Sequence, residues 1–253
     1  MMKSFTFRNI HKQGQIVFEN HLYKHNHFPE MLLMYDDNFI QFKKMPLVDE
    51  FKEAARDLRE YHVKYSQKHL KFYFPQDEKL PEDLTGYLVE TGYEMGLMEL
   101  YAIGPQQFPA VEHKPMIEVQ RVSNENFESF IRLKYEIDSE FGENFAQQKG
   151  NIHKRNYESK NFAQFIAFYD GTPAGAVDVI ISKETAEIDG LVILDHYQRN
   201  GIGSQLQKAI MEEFHDKTVI LVADGEDTPR EMYKRQNYQY LGFKYEVLKV
   251  YED

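Results

Sequence analysis

Gln198-Arg199-Asn200-Gly201-Ile202-Gly203 stands between a strand-like run, Ala186 to Leu194, and a helix-like run, Gly203 to Phe214. Two glycines one residue apart at such a junction suit a loop whose backbone closes on an anion. With no Cβ at Gly201 or Gly203, successive N–H groups can converge on phosphate oxygens at the positive end of a helix. Ile202, Leu206, Ala209, Ile210 and Phe214 recur at helical spacing and give the helix one apolar face. An ordinary turn into a helix has the same local pattern, so the surrounding elements must decide.

Outward from the loop, the second half of the chain reads as alternating strands and helices. Met116 to Val122 reads as a strand, and Ser123 caps a helix through about Glu140. A second helix runs from Asn144 to about Lys160. Phe162 to Tyr169 and Ala174 to Ile181 form a hairpin around Asp170-Gly171-Thr172-Pro173, and Ala186 to Leu194 is the next strand. After the glycine loop and its helix come a strand from Thr218 to Ala223, a helix from Pro229 to Tyr238, and a strand from Tyr240 to Val250. The order is β-α-α-β-β-β-α-β-α-β.

The first half reads as a worn version of this plan. Met31 to Tyr35 and Phe39 to Phe42 read as strands, Val48 to Gln67 as a helix, and Leu70 to Phe74 as a strand. A helix from Pro81 to Thr91 and a strand through Tyr101 complete it. Its loop before the long helix, Lys44-Met45-Pro46-Leu47, has no glycine. Two unrelated α/β halves would look much the same. Ile103-Gly104-Pro105-Gln106-Gln107-Phe108-Pro109, closed by Lys114-Pro115, has the turn chemistry of a linker. The chain is thereby divided into domains 1–109 and 110–253.

Composition narrows the functional classes. With 253 residues, 42% of them hydrophobic and 14% aromatic, the chain can bury a substantial core. A net charge of −11 argues against nucleic acid and modestly favours cationic partners, although solubility alone would account for it. The apolar runs are too short to span a bilayer, and no leader opens the chain, so a cytoplasmic location is expected. No cysteine is present, which removes thiol nucleophiles and Cys-ligated zinc. His21, His25 and His27 lack metal-ligand spacing and read as a solvated hairpin, so no metal is expected.

Val192-Ile193 followed by Tyr197-Gln198-Arg199-Asn200-Gly201-Ile202-Gly203 resembles the acyl-CoA signature of the GNAT superfamily of N-acetyltransferases. Tyr233-Lys234-Arg235-Gln236-Asn237-Tyr238 looks like the family's Tyr-x-x-x-Gly-Phe segment, with Asn237 for the glycine and Tyr238 for the phenylalanine. Asn tolerates the left-handed cap that glycine usually supplies, so the departure is mild. The resemblance covers about residues 116–250. It implies an α/β (α+β) fold, a mixed and mostly antiparallel sheet flanked by helices, here in tandem with a degenerate copy.

The same resemblance implies the roles of the site residues. Acetyl-CoA would be the co-substrate, its pantetheine arm pairing with the backbone of Leu191, Val192 and Ile193. Its pyrophosphate would lie on the loop of Gln198, Arg199, Asn200, Gly201, Ile202, Gly203 and Ser204. An amine of lysine-like pKa, about 10.4, must lose a proton before it attacks. Glu187 stands eleven residues before Gln198, where some members carry a catalytic glutamate. Strand alternation puts Glu187, Asp189, Leu191 and Ile193 on one face, so Asp189 is the neighbouring alternative. Tyr233 holds the position of the phenol that protonates the departing thiolate, with Tyr238 a rival if the register slips by one motif. The Ile193 N–H would stabilise the oxyanion. Phe141 and Glu143, between the first two helices of the second half, are the candidates for binding an acceptor ammonium. The leading function is acetyl transfer to a small primary amine such as an amino acid, polyamine or aminoglycoside-like compound. A protein N-terminal or lysine acetyltransferase and a non-catalytic acyl-CoA-binding protein are the alternatives, and a homodimer is compatible with either.

Overall fold

A computed structural model describes residues 5–225 and 229–251. In chain order these residues form β1 (Gln15–Glu19), β2 (Tyr23–His27), β3 (Phe39–Phe42), α1 (Val48–Lys64), β4 (His69–Tyr73), α2 (Glu82–Glu90) and β5 (Glu94–Ile103). There follow β6 (Ile117–Arg121), α3 (Phe127–Asp138), α4 (Glu143–Glu158), β7 (Phe162–Tyr169), β8 (Thr172–Ile181) and β9 (Thr185–Ile193). The chain continues through α5 (Ile202–Glu213), β10 (Thr218–Asp224), α6 (Pro229–Arg235) and β11 (Gln239–Val250). The β-α-α-β-β-β-α-β-α-β order of the second half is as read from the sequence.

Packing divides the chain into a C-terminal unit, chiefly Tyr101–Val222 with Met232–Gln239, and an N-terminal unit of Ser4–Leu100, Ala223–Glu231 and Tyr240–Asp253. The last strand, read as part of residues 110–253, therefore packs in the unit made from the first half.

In the N-terminal unit the strand order is β1-β2-β3-β4-β11-β5. β1–β2, β2–β3 and β4–β11 are antiparallel, and β3–β4 is parallel with α1 as the crossover. Phe51, Leu58, Phe72, Phe74, Leu84 and Leu88 fill its core. Two expectations change here. Met31 to Met34 is a turn, because Met31 and Met34 N–H groups bond locally to Phe28 and Met31 carbonyls, and the strand hairpin is β1–β2 instead. That hairpin is not solvated at His25 and His27, which are 5% and 3% exposed. β2 is a central strand, and α1 covers its histidine face: His25 and His27 meet Tyr61 edge-on at 4.6 and 5.1 Å between ring centres. Asn26 faces the other way and donates to the Gln13 and Asp37 carbonyls, each at 2.7 Å.

In the C-terminal unit the order is β10-β9-β8-β7-β6. β6 through β9 are antiparallel, and β9–β10 is parallel with α5 as the crossover. α3 begins at Phe127 rather than Ser123, since Asn126 Oδ1 accepts the Ser123 N–H at 2.8 Å and holds residues 123–126 as a turn. Phe130 and Leu133 of α3 pack on Ile166 and Ala176 of the sheet. β3-α1-β4 in one unit thus matches β9-α5-β10 in the other. No helix among the described residues is long and apolar enough to cross a membrane.

Candidate active site

β9 changes character half-way along. From Thr185 to Ile188 it is bonded on both edges, antiparallel to β8 and parallel to Thr218–Leu221 of β10. Beyond Ile188 the β10 register ends while pairing to β8 continues to Ile193. One edge of β9 is left open over its last residues, the geometry in which an extended ligand adds as a strand.

A β-bulge lies where the strands part. Asp178 of β8 pairs with Asp189, but Ala176, two residues on, pairs with Val192, three residues on. Gly190 supplies the extra residue at φ +56°. The bulge corrects the face assignment read from simple alternation. Glu187, Asp189 and Val192 share the face of Ile180, Asp178 and Ala176, while Ile193 lies opposite, beside Gly175. The Leu194 N–H donates to the Ala174 carbonyl at 3.0 Å. Antiparallel alternation then turns the Ile193 N–H toward the open edge.

The glycine loop begins just past this edge. Gln198 ties loop to strand, its Nε2 donating to the Ile193 carbonyl at 3.2 Å and to Asp195 Oδ1 at 2.8 Å. Arg199 at φ +62° and Gly201 at φ +92° give the loop two left-handed residues, and Gly201 is the N-cap of α5. Alternating hands turn successive N–H groups to one side, an anion-binding concavity. A residue the sequence reading did not single out joins it: Lys114 Nζ donates to the Asn200 carbonyl at 2.6 Å and would lie 3.1 Å from a Cβ at Gly201. Lys114 comes from the segment read as a linker. Its signal, a lone lysine beside Pro115, is invisible without the fold.

Under the bulge lies a polar cluster on the α3 and α4 side. Lys134 Nζ is 3.0 Å from Asp178 Oδ2, both nearly fully buried, and Gln164 Nε2 donates to Asp178 Oδ1 at 2.7 Å. His153 Nε2 meets Asp138 Oδ2 at 2.9 Å. Burial opposes the charge on Lys134, but Asp178, with Asp138 and Asp189 behind it, holds its pKa above the ordinary lysine value. Burial likewise opposes the charge on Asp178, and Lys134 more than offsets it, so that carboxylate sits below its usual range. A Cβ on Gly190 would come within 3.6 Å of Lys134 Nζ, so the ion pair supports the bulge from beneath. The signal was a lysine and an aspartate inside the apolar register of α3, at Lys134 and Asp138.

The expected acid–base residues fall into distinct surroundings. Glu187 is buried within β9, flanked by Ile180 and Ile220. Asp189 is exposed at the split. Tyr233 on α6 is half-buried, its ring 5.0 Å from Tyr101 and 5.3 Å from Tyr238, and burial raises its pKa. Tyr238 is buried, and its hydroxyl donates to Gln207 Oε1 at 2.8 Å, a fixed packing role. Asn237 adopts φ +66°, the left-handed cap its place in the motif requires. Phe141 and Glu143 flank Gly142 in a tight α3–α4 connection. Both are exposed, and Phe141 packs its ring 5.3 Å from Phe145. No group of three or more His, Asp or Glu among the described residues is arranged to hold a metal ion.

Residues 125–238 match the acetyltransferase (GNAT) family, and residues 5–101 match a domain of unknown function, DUF5613. Among solved structures, the chain is similar to a functionally unknown conserved protein from Staphylococcus epidermidis at 32% identity, covering 100% of both chains with a TM-score of 0.90. It shares its fold with a GCN5-related N-acetyltransferase from Kribbella flavida at 15% identity, covering 94% of this chain and 90% of that one, TM-score 0.63. A tandem GNAT protein from the clavulanic acid biosynthesis pathway matches at 12% identity over 85% of this chain and 76% of that one, TM-score 0.51. No protein of curated function matches in sequence. The bulged, half-open β9, the glycine loop at the head of α5 and the matched residues agree: residues 125–238 of this chain are a domain of the GNAT acetyltransferase family, behind a divergent N-terminal half.

Proposed function

We propose that the C-terminal unit moves an acetyl group from acetyl-CoA to the primary amine of a small molecule, by direct attack within a ternary complex. The observation that carries this is the meeting, at one end of β9, of an open strand edge with a loop of left-handed residues. Those two features fit a ligand with an amide-bearing arm and a pyrophosphate. Leu191, Val192 and Ile193 would bond the arm. The amides from Arg199 to Ser204, with Gln198 as brace and Lys114 as added positive charge, would hold the phosphates. Acetyl-CoA supplies the activated thioester when bound.

This chain's residues supply the rest. The Ile193 N–H, facing the open edge, is placed to hold negative charge developing on a carbonyl oxygen. Glu187, on the α3 face, takes the proton of the attacking ammonium, directly or through water, and exposed Asp189 orients the incoming cation. Tyr233 delivers a proton to the departing sulfur, and its burial-raised pKa keeps it protonated for that task. Phe141 and Glu143 are assigned to the acceptor's ammonium side. Incubating the protein with acetyl-CoA and a library of small amines, with mass-spectrometric detection, tests the assignment. Acetylated products are expected from small amines. Transfer only to peptide N-termini or lysines would move the protein to the protein-acetylating class, and no transfer to any amine would refute catalysis.

A further inference from the structure

The N-terminal unit has a cavity of its own, about 600 Å³, far larger than a water site. Phe7 and Lys244 of β11 line it together with polar side chains, among them Lys24, Gln41 and Gln76. Lys244 is 3% exposed. Its Nζ lies 3.9 Å from the Tyr73 ring centre and 4.7 Å from that of Phe7. It makes neither a hydrogen bond nor an ion pair among the described residues. The nearby carboxylates are already engaged: Lys71 holds Asp36 at 3.2 Å and Glu246 at 2.9 Å. Of the acids lining the cavity, Glu19 is paired to Lys43 at 2.5 Å. Asp77 accepts from the Phe243 N–H at 2.9 Å and from Gln76 at 3.1 Å. Glu78 is exposed at the rim, where Arg8 and Lys24 also contribute.

An amine so buried, without a counter-ion, is costly to keep, since aromatic faces compensate a cation only in part. Burial drives the Lys244 pKa well below its ordinary value, with Lys12 as the next contributor. A partner that brings its own negative charge would reverse that cost, and the Phe7 ring beside the amine offers its body one apolar surface.

We propose that this cavity binds a small organic carboxylate, the carboxylate meeting the Lys244 amine and the body lying against Phe7. Nothing in this site requires the acetyl-transfer chemistry of the other unit. The ion pair forms by proton uptake: the amine takes a proton from solvent as the carboxylate seats, and no covalent bond is made.

The full-length protein would be titrated with benzoate, hexanoate and uncharged benzamide, followed by amide chemical shifts and by calorimetry in buffers of different ionisation enthalpy. Benzoate or hexanoate should shift the amides of Phe7, Gln76 and Lys244, and outbind benzamide by about tenfold or more, the effect of one charged hydrogen bond. Binding should consume protons. Lys244→Met should remove that preference while leaving the thermal midpoint unchanged or raised. Equal affinity for benzamide, carboxylate binding unaltered in Lys244→Met, or no shift at these amides at millimolar probe would each overturn the assignment. A lowered midpoint in Lys244→Met would make Lys244 a packing residue and also count against it.

Discussion

Acid should undo the N-terminal unit well before it reaches the carboxylates, because of the histidines sealed under α1. His62 Nδ1 donates to the His69 carbonyl at 2.7 Å, and His69 Nε2 to the Asn38 carbonyl at 3.0 Å. These bonds suit neutral rings, and His25 Nε2 and His62 Nε2 have no hydrogen-bond partner among the described residues to share a second proton. Burial lowers the pKa of His25 to about 3, of His62 to about 4 and of His69 to about 3, with the neighbouring rings adding to the effect. In the unfolded chain each returns to about 6.5. Folded values below unfolded ones mean that the unfolded chain binds more protons, so stability is complete above pH 6.5 and falls as pH drops toward 4. At about pH 5 each ring favours unfolding by about 2 kcal/mol, and three rings by about 6 kcal/mol. That is an upper bound, because local opening hydrates the rings, yet it rivals a whole domain's stability of about 5–15 kcal/mol. The carboxylates act lower: Asp36, held near 2 by Lys71 and Lys12, loses its contribution only below its unfolded pKa. Urea denaturation followed by circular dichroism at about pH 7, 6 and 5 would measure the loss. His25→Phe, which fits the edge-on contact with Tyr61, should flatten the slope by about one proton. Equal midpoints at pH 7 and 5, or an unchanged slope in His25→Phe, would refute the reasoning.

Four further outcomes concern the C-terminal unit. Glu187→Gln should lower turnover by about 10²–10⁴-fold, retain acetyl-CoA binding and recover partly at high pH; a wild-type rate would pass the role of base to Asp189. Tyr233→Phe should slow turnover without that recovery, whereas Tyr238→Phe, whose hydroxyl only packs on Gln207, should reduce thermal stability first; the reverse order in rate assays would exchange their roles. Gly201→Val forces a branched residue to φ +92° and a Cβ to 3.1 Å from Lys114 Nζ, so calorimetry should show lost acetyl-CoA binding at a stability cost of about 1–3 kcal/mol. Asp178→Asn should destabilise by about 3–5 kcal/mol by stranding the Lys134 charge, and Lys134→Met with Asp178→Leu should recover most of it in urea melts.

The sequence was most informative where one residue type has one physical use. Gly201 and Asn237 stand at positive φ where the motifs needed them, and the order of elements came from hydrophobic period and turn chemistry. The bulge at Gly190 was not legible, because a single extra residue leaves no trace in a period-two pattern and yet reverses the face of everything after it. Lys134 and Asp178 are not legible in the sequence, since a charge in an apolar stripe has no visible partner until two elements are packed. His25 and His27 read as solvated for a related reason. Polarity on a strand suggests solvent, and only the tertiary cover from α1 shows the rings to be sealed. Met31 to Met34, four apolar residues in a row, reads as a strand by composition, whereas its N–H groups are spent within a turn.

β11 leaves the ribosome after every other strand of the sheet, and its place is in the middle of the N-terminal unit, between β4 and β5. Glu246 to Val250 pair with Tyr73 to His69, so two edges made early in synthesis wait for a late partner, which for β4 lies 173 to 181 residues further on (246 − 73 and 250 − 69). The unit built mainly from the first half of the chain is therefore finished only after the C-terminal unit has been synthesised. Until then, the facing edges of β4 and β5 are templates for any other strand, and a nascent or C-terminally clipped chain carries its aggregation hazard in the half that was made first. No single cut in the chain yields the two units intact.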